Sequence, residues 1–73
     1  MQYHLTKERF EELKIELERL KKEVRAEIRE RLRRAKEYGD LSENAEYSEA
    51  KDEQAKVEGR IFELENILKN ASI

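Results

Sequence analysis

The first half of the chain carries apolar side chains at a regular helical spacing among charged residues. Successive apolar positions lie three or four residues apart, which places them on one face of an α-helix. Three consecutive steps of four residues between Leu20 and Leu32 break the alternation, so we expect a coiled-coil stutter near Val24. This spacing predicts a helix over about residues 7–38. Its apolar face comprises Phe10, Leu13, Leu17, Leu20, Val24, Ile28, Leu32 and Ala35.

The second half of the chain repeats this pattern without interruption. Its steps alternate between three and four residues, which is the spacing of a coiled-coil seam. One position of this face, Gln54, is polar. The spacing predicts a second helix over about residues 43–70. Its inward face comprises Tyr47, Ala50, Gln54, Val57, Ile61, Leu64, Leu68 and Ala71.

The two apolar faces match each other when the chain is folded back on itself. Facing residues of an antiparallel pair have a constant sum of residue numbers, and here that sum is 81 for the outer pairs and 82 for the inner pairs. Half of this sum places the reversal at residues 39–41. We therefore predict an all-α fold, a two-helix antiparallel coiled-coil hairpin with a tip turn at residues 39–42. The two matched faces together are called the seam below.

Local signals agree with these boundaries. Thr6 is a suitable N-cap for the first helix, because its hydroxyl can accept a backbone N–H of the first turn. Gly39 suits the C′ position after the first helix, where a left-handed backbone is needed. The apolar residues around the turn are expected to point inward and close the tip, so that its tyrosines pack rather than bind a ligand. These residues are Tyr38, Leu41, Ala45 and Tyr47.

The composition limits the chemistry available to the chain. Its 73 residues are 47% charged and include no cysteine, which excludes disulfides and thiolate metal sites. No apolar run approaches the roughly 20 residues that cross a bilayer, so we expect no membrane partner. We expect a cytoplasmic location. There is neither a nucleophile–base arrangement nor a glycine-rich phosphate loop. We therefore expect a protein without an active site of its own.

The charges are unevenly distributed along the chain. Residues 1–38 carry 12 basic and 9 acidic side chains, whereas residues 39–73 carry 4 basic and 9 acidic ones. The basic run at residues 25–36 allows two interpretations. Its side chains can pair with the carboxylates of the opposite helix and set the orientation of the hairpin. They can also contact nucleic-acid phosphates. The opposing carboxylates would be Glu46, Glu49, Asp52 and Glu53.

Asp40 and Glu43 likewise have two interpretations. Their spacing is that of a capping box, in which both side chains satisfy backbone donors at the start of the second helix. The alternative is a pair of carboxylates displayed at the end of a rod. Carboxylate oxygens suit Mg²⁺, which needs only one or two of them and keeps its waters. Two carboxylates make a weak site, so another molecule would have to supply the remaining ligands.

Three stretches carry a resemblance to a known family. The tip "GDLSENAEY", the following "AKDEQAKVEGRIFELENIL" and the initial "LTKERFEELKIELERLK" resemble the N-terminal domain of the bacterial Gre transcript-cleavage factors. The resemblance covers residues 1–73 as one domain and implies an antiparallel coiled-coil hairpin. It also implies that the hairpin enters the secondary channel of RNA polymerase. There it stimulates the polymerase's own cleavage of backtracked RNA, so that stalled transcription resumes.

The resemblance also implies roles for individual residues. The two acids of the family's tip fall on Asp40 and Glu43, which would help to hold a Mg²⁺ of the polymerase active centre that neither protein binds fully alone. The hairpin would have no cofactor of its own. Tip contacts are expected from Leu41, Ser42 and Asn44. The family's basic patch contacts the nascent RNA 3′ end, and its expected counterparts are Arg29, Arg33, Arg34 and Lys36.

The chain departs from the family in one respect. Gre factors have a C-terminal globular domain that anchors them to the polymerase, and the resemblance ends before that domain begins. An isolated hairpin could self-associate, and the apolar residues Ile15, Phe62 and Ile67 lie outside the seam near its open end. Two other functions stay open. One is an inhibitory Gre homologue that occupies the channel without cleavage, and the other is a plain structural coiled coil.

Overall fold

The computed structural model describes residues 2–73 as a long hairpin of two helical arms. The first arm consists of α1 (Lys7–Arg19), a π-helical turn (Leu20–Val24) and α2 (Arg25–Lys36). After the tip, the second arm is the single helix α3 (Ala45–Lys69). The molecule measures 50 × 21 × 13 Å. The predicted helical hairpin is therefore confirmed, with both helices somewhat shorter at the tip than expected.

The hydrophobic core runs along the predicted seam. Every buried apolar residue of the described chain is a seam position, four on each arm. Ile61 and Leu64 are the largest side chains that are completely enclosed. The half-buried seam residues Leu17, Val24, Leu32 and Leu68 pack around this core. The buried set is Leu13, Leu20, Ile28, Ala35, Ala50, Val57, Ile61 and Leu64.

The π-helical turn lies where the apolar spacing predicts a stutter. Leu20 and Val24 are its first and last residues, and the step of four between them begins the interrupted stretch. A π-helical turn contains more residues than an α-helical one, so it shifts the following residues around the helix axis. Leu20 and Ile28 consequently both remain buried, on either side of Val24. The backbone is helical throughout, so the first arm continues through the turn.

The open end of the hairpin contains a short element that the sequence pattern does not predict. Strands β1 (Tyr3–His4) and β2 (Ala71–Ser72) pair in parallel, and Leu5 N–H donates to the Ser72 carbonyl at 3.0 Å. Thr6 caps α1 as predicted, because its hydroxyl accepts the backbone N–H of Arg9 at 3.0 Å. The expectation that Ala71 continues the helical seam is wrong, since α3 ends at Lys69 and Ala71 belongs to β2.

Within residues 2–73, three ion pairs connect the two arms. Arg25 makes a bidentate pair with Glu58 at 2.8 and 2.6 Å, and Arg60 makes one with Glu16 at 2.7 and 2.9 Å. Hydrogen bonds from Arg60 lower the pKa of Glu16, so this carboxylate stays charged at a lower pH than an unpaired glutamate. The third pair, between Lys21 and Glu65, is longer at 3.5 Å. Because all these groups are partly exposed, their pairs add little to the stability of the hairpin. Their main effect is to fix the register of the two arms.

Candidate functional site

The chain reverses direction at the tip through a left-handed glycine and a short 3₁₀ turn. Gly39 has a φ of +99°, which confirms the predicted left-handed backbone at this position. The 3₁₀ turn comprises Leu41–Glu43, and Asn44 joins it to α3. The first helix ends at Lys36 and not near residue 38, so Tyr38 belongs to the turn. These features place Asp40 and Glu43 at the far end of the rod.

Asp40 caps the 3₁₀ turn with one of its two carboxylate oxygens. Its Oδ1 accepts the Ser42 backbone N–H at 2.9 Å and the Ser42 hydroxyl at 2.7 Å. These two bonds, the hydroxyl bond foremost, hold the pKa of Asp40 below its usual range because they stabilise the charged form. Within the described chain, Oδ2 accepts no hydrogen bond. Asp40 is thus an oriented anion with one oxygen available to a ligand.

The predicted capping box between Asp40 and Glu43 is wrong. The N-cap of α3 is Asn44, whose Oδ1 accepts the Tyr47 backbone N–H at 3.1 Å. Asn44 also donates from Nδ2 to the Ala35 carbonyl at 2.6 Å, which ties the tip to the first arm. The Glu43 side chain has no hydrogen bond and no ion pair to any residue in the 2–73 range. Its exposed carboxylate is therefore free to act outside the hairpin.

Asp40 and Glu43 face the same open depression at the tip. Its wall includes Tyr38, Asn44, Ala45 and Glu46 as well. Carboxylate oxygens suit Mg²⁺, but residues 2–73 contain no group of three or more acidic, histidine or cysteine side chains arranged to hold a metal ion. Two carboxylates are few ligands for a Mg²⁺, so another molecule would have to supply the remaining ones.

The expectation that the apolar tip residues all turn inward is only partly correct. Tyr47 is half-buried, whereas Tyr38 is 72% exposed, Leu41 is 38% exposed and Ala45 is exposed. Because the first helix ends at Lys36, Tyr38 falls outside the helical repeat that would have kept it near the seam. The Asn44 side chain and the buried pair Ala35 and Ala50 close this end of the core instead. The early end of α2 is not evident from the apolar spacing.

The basic run does not pair with the carboxylates predicted opposite it. Arg33 binds Glu30 and Glu37 of its own arm, each at 2.7 Å, and Arg34 lies 3.6 Å from Glu30. The hydrogen bonds that Arg33 donates to Glu30, and then those to Glu37, raise the pKa of its guanidinium. Within the described chain, the basic run forms one ion pair with the opposite arm, between Arg25 and Glu58. Glu58 was not among the carboxylates expected to pair. The pairing interpretation is therefore wrong for the four named carboxylates.

The four basic residues proposed as RNA contacts differ in availability. Arg33 is engaged on both sides by glutamates, and Arg34 has one distant partner. Arg29 and Lys36 form no ion pair within the part of the chain that the structure describes. Both are exposed, so both are available to an external phosphate. No helix in that part of the chain is long and apolar enough to cross a membrane.

Comparison with known proteins identifies relatives over nearly the whole chain. A family model described as "Transcription elongation factor, N-terminal" matches residues 3–73. Transcription elongation factor GreA of Acetivibrio thermocellus is 56% identical over 69 residues, which cover 94% of this chain and 43% of that protein. GreA of Clostridium botulinum strain Langeland is 59% identical over 71 residues, covering 97% of this chain and 44% of the relative. The chain thus spans less than half the length of these relatives.

Proposed function

The chain belongs to the GreA/GreB family of transcription elongation factors, and from this premise we propose how its tip acts. The hairpin enters the secondary channel of bacterial RNA polymerase with Asp40 and Glu43 leading. There it stimulates the polymerase's own hydrolysis of backtracked RNA and so restarts stalled complexes. The proposal is supported above all by the exposed carboxylates of Asp40 and Glu43 at the end of a 50 Å rod.

The hairpin contributes ligands, whereas the polymerase performs the cleavage. Asp40 presents Oδ2, and its hydrogen bonds to Ser42 keep the group charged and correctly directed. Glu43 can hold a water by accepting its hydrogen bond, or can serve as a second ligand. A Mg²⁺ shared with the polymerase would supply the positive charge that stabilises the attacking and leaving oxygens of the phosphodiester. The chain is on this account an activator and not an enzyme.

The remaining tip and arm residues have supporting roles in this proposal. Asn44 holds the tip on the first arm, so that the carboxylates keep their direction. Leu41 and Ser42 are exposed beside the acids and contact the polymerase. Of the four predicted RNA contacts, Arg29 and Lys36 are best placed to contact the RNA 3′ end, because within residues 2–73 they form no ion pair. Any RNA contact by Arg33 would compete with Glu30 and Glu37.

The proposal is tested by transcript cleavage on stalled, backtracked complexes of bacterial RNA polymerase. The chain is extended with the C-terminal part of a GreA relative to restore the length of those proteins. Asp40→Asn keeps an oxygen for the Ser42 bonds and removes the negative charge, so it is matched in structure. We expect the parent to shorten the RNA and the variant to be slower by at least about tenfold.

Two results would contradict the proposal. Equal cleavage by the parent and Asp40→Asn would show that the Asp40 charge has no role. Failure of both to stimulate cleavage, while the parent still displaces an active GreA from the polymerase, would favour the inhibitory alternative. Far-ultraviolet circular dichroism of both proteins provides the control that the hairpin remains folded.

A further inference from the structure

Tyr38 is an exposed aromatic side chain on a well-defined backbone. It is 72% exposed, although its N–H donates to the Ala35 carbonyl at 3.1 Å and the following Gly39 N–H reaches the Lys36 carbonyl at 3.3 Å. Those bonds extend the hydrogen bonding of the first arm beyond α2 and hold the backbone of Tyr38 in place. The ring contributes little to the core. Burial therefore does not explain a large aromatic residue beside the acidic tip.

The position of Tyr38 is more informative than its exposure. The side chain lines the depression that holds Asp40 and Glu43, and it also lines a second depression beside Arg31 and Arg34. Tyr38 and Glu46 are the two residues that line both depressions. A group bound against the ring would therefore lie next to the tip carboxylates on one side and next to arginine side chains on the other.

The charges of the second depression indicate which part of a nucleotide fits there. Arg31 and Arg34 are accompanied by the carboxylates of Glu46 and Glu49, so a phosphate would meet repulsion as well as attraction. A nucleobase carries no net charge and has a flat face. Single-stranded RNA is commonly recognised by stacking its bases on aromatic rings or on arginine guanidinium planes. Tyr38 and Arg34 provide both surfaces.

We propose that Tyr38 is a stacking platform for the unpaired 3′-terminal base of backtracked RNA. This inference rests on the proposed function, because that function brings the RNA end to the tip. Stacking would position the nucleotide so that the bond to be cut lies beside Asp40 and Glu43. Tyr38 would act as a substrate-positioning residue that tolerates any base, since every base has a π-face.

The first test measures cleavage at saturating concentrations of the extended protein. The polymerase complexes are backtracked by one nucleotide, so that a single unpaired base is present. Tyr38→Ala should lower the cleavage rate by about tenfold, whereas Tyr38→Phe should restore most of it because the ring remains. A second RNA, identical but abasic at its 3′ nucleotide, should abolish the difference between the parent and Tyr38→Ala. Persistence of that difference on abasic RNA would mean that Tyr38 contacts the polymerase instead.

The second test does not depend on cleavage. The RNA carries 2-aminopurine as its 3′-terminal base, and the protein carries Asp40→Asn so that the RNA is cut slowly while its fluorescence is measured. Adding this protein should quench the 2-aminopurine fluorescence, and adding the Asp40→Asn, Tyr38→Ala double variant should not. Equal fluorescence with the two proteins would overturn the inference. Cleavage that responds to Asp40→Asn but not to Tyr38→Ala would overturn it as well and leave the proposed function standing.

Discussion

Asp40 uses its two carboxylate oxygens differently. Oδ1 accepts hydrogen bonds from the Ser42 N–H and hydroxyl, whereas Oδ2 accepts none from residues 2–73. The same hydrogen bonds that shape the turn also lower the pKa of the group, so the carboxylate persists to a lower pH than that of an unperturbed aspartate. One residue therefore both builds the tip and presents a charged ligand at its end.

Asn44 is the residue on which the shape of the tip depends most. Asn44→Ala removes the cap on α3 and the bond to the Ala35 carbonyl, so we expect it to destabilise the hairpin by about 1–2 kcal/mol. Asn44→Asp is the matched control, because it keeps the acceptor for the Tyr47 N–H and should lose less stability. Thermal unfolding followed by circular dichroism measures both. An unchanged melting temperature in Asn44→Ala would contradict these contacts.

The tip also shows which site features were accessible to sequence reasoning. Gly39 was predictable, because few other residues accept a left-handed backbone. The true helix cap was not, because Asp40 and Asn44 are both good N-cap residues separated by only four positions. The choice between them is made by the bond from Asn44 to Ala35, which joins residues of different arms. A local motif contains no information about such a contact.

At the scale of whole elements, the apolar spacing determines nearly everything that was predicted correctly. The seam identifies all eight buried residues of the described chain and the interrupted stretch that contains the π-helical turn. What the spacing cannot show is where a helix gives way to a turn after its last apolar contact. The ends of α2 and α3, the 3₁₀ turn and the β1–β2 pair all follow from backbone hydrogen bonds near the chain reversal or the termini.

Gly59 provides a prediction about α3. It lies within the helix, and a Cβ added there would meet no atom within 4 Å. Gly59→Ala should therefore raise the free energy of unfolding by about 1 kcal/mol, because alanine loses less backbone entropy in a helix. Chemical denaturation measures the change.

Gly39→Ala is the control for this prediction. Its surroundings are equally open, but its φ of +99° is strained for alanine, so this variant should lose about 1–2 kcal/mol. A stability loss in Gly59→Ala would contradict the open environment of that residue. A gain in Gly39→Ala would contradict the left-handed turn.

At the scale of the whole molecule, the two ends of the rod have different character. The tip presents the carboxylates of Asp40 and Glu43, whereas Ile15 and Phe62 expose apolar surface on the half towards the open end, at 65% and 74% respectively. Ile67, which was expected beside them, instead packs against the core. Self-association of the hairpin through this surface stays a prediction. The relatives are more than twice as long as the aligned region.

The central claim is that the tip contributes carboxylates to a Mg²⁺ shared with RNA polymerase. The most direct measurement is the cleavage rate of a backtracked complex as a function of Mg²⁺ concentration, with saturating extended protein or without it. The parent should lower the Mg²⁺ concentration needed for half the maximal rate by about tenfold or more, and Asp40→Asn should return it towards the value of polymerase alone. An identical Mg²⁺ dependence with the parent and with Asp40→Asn would contradict the claim.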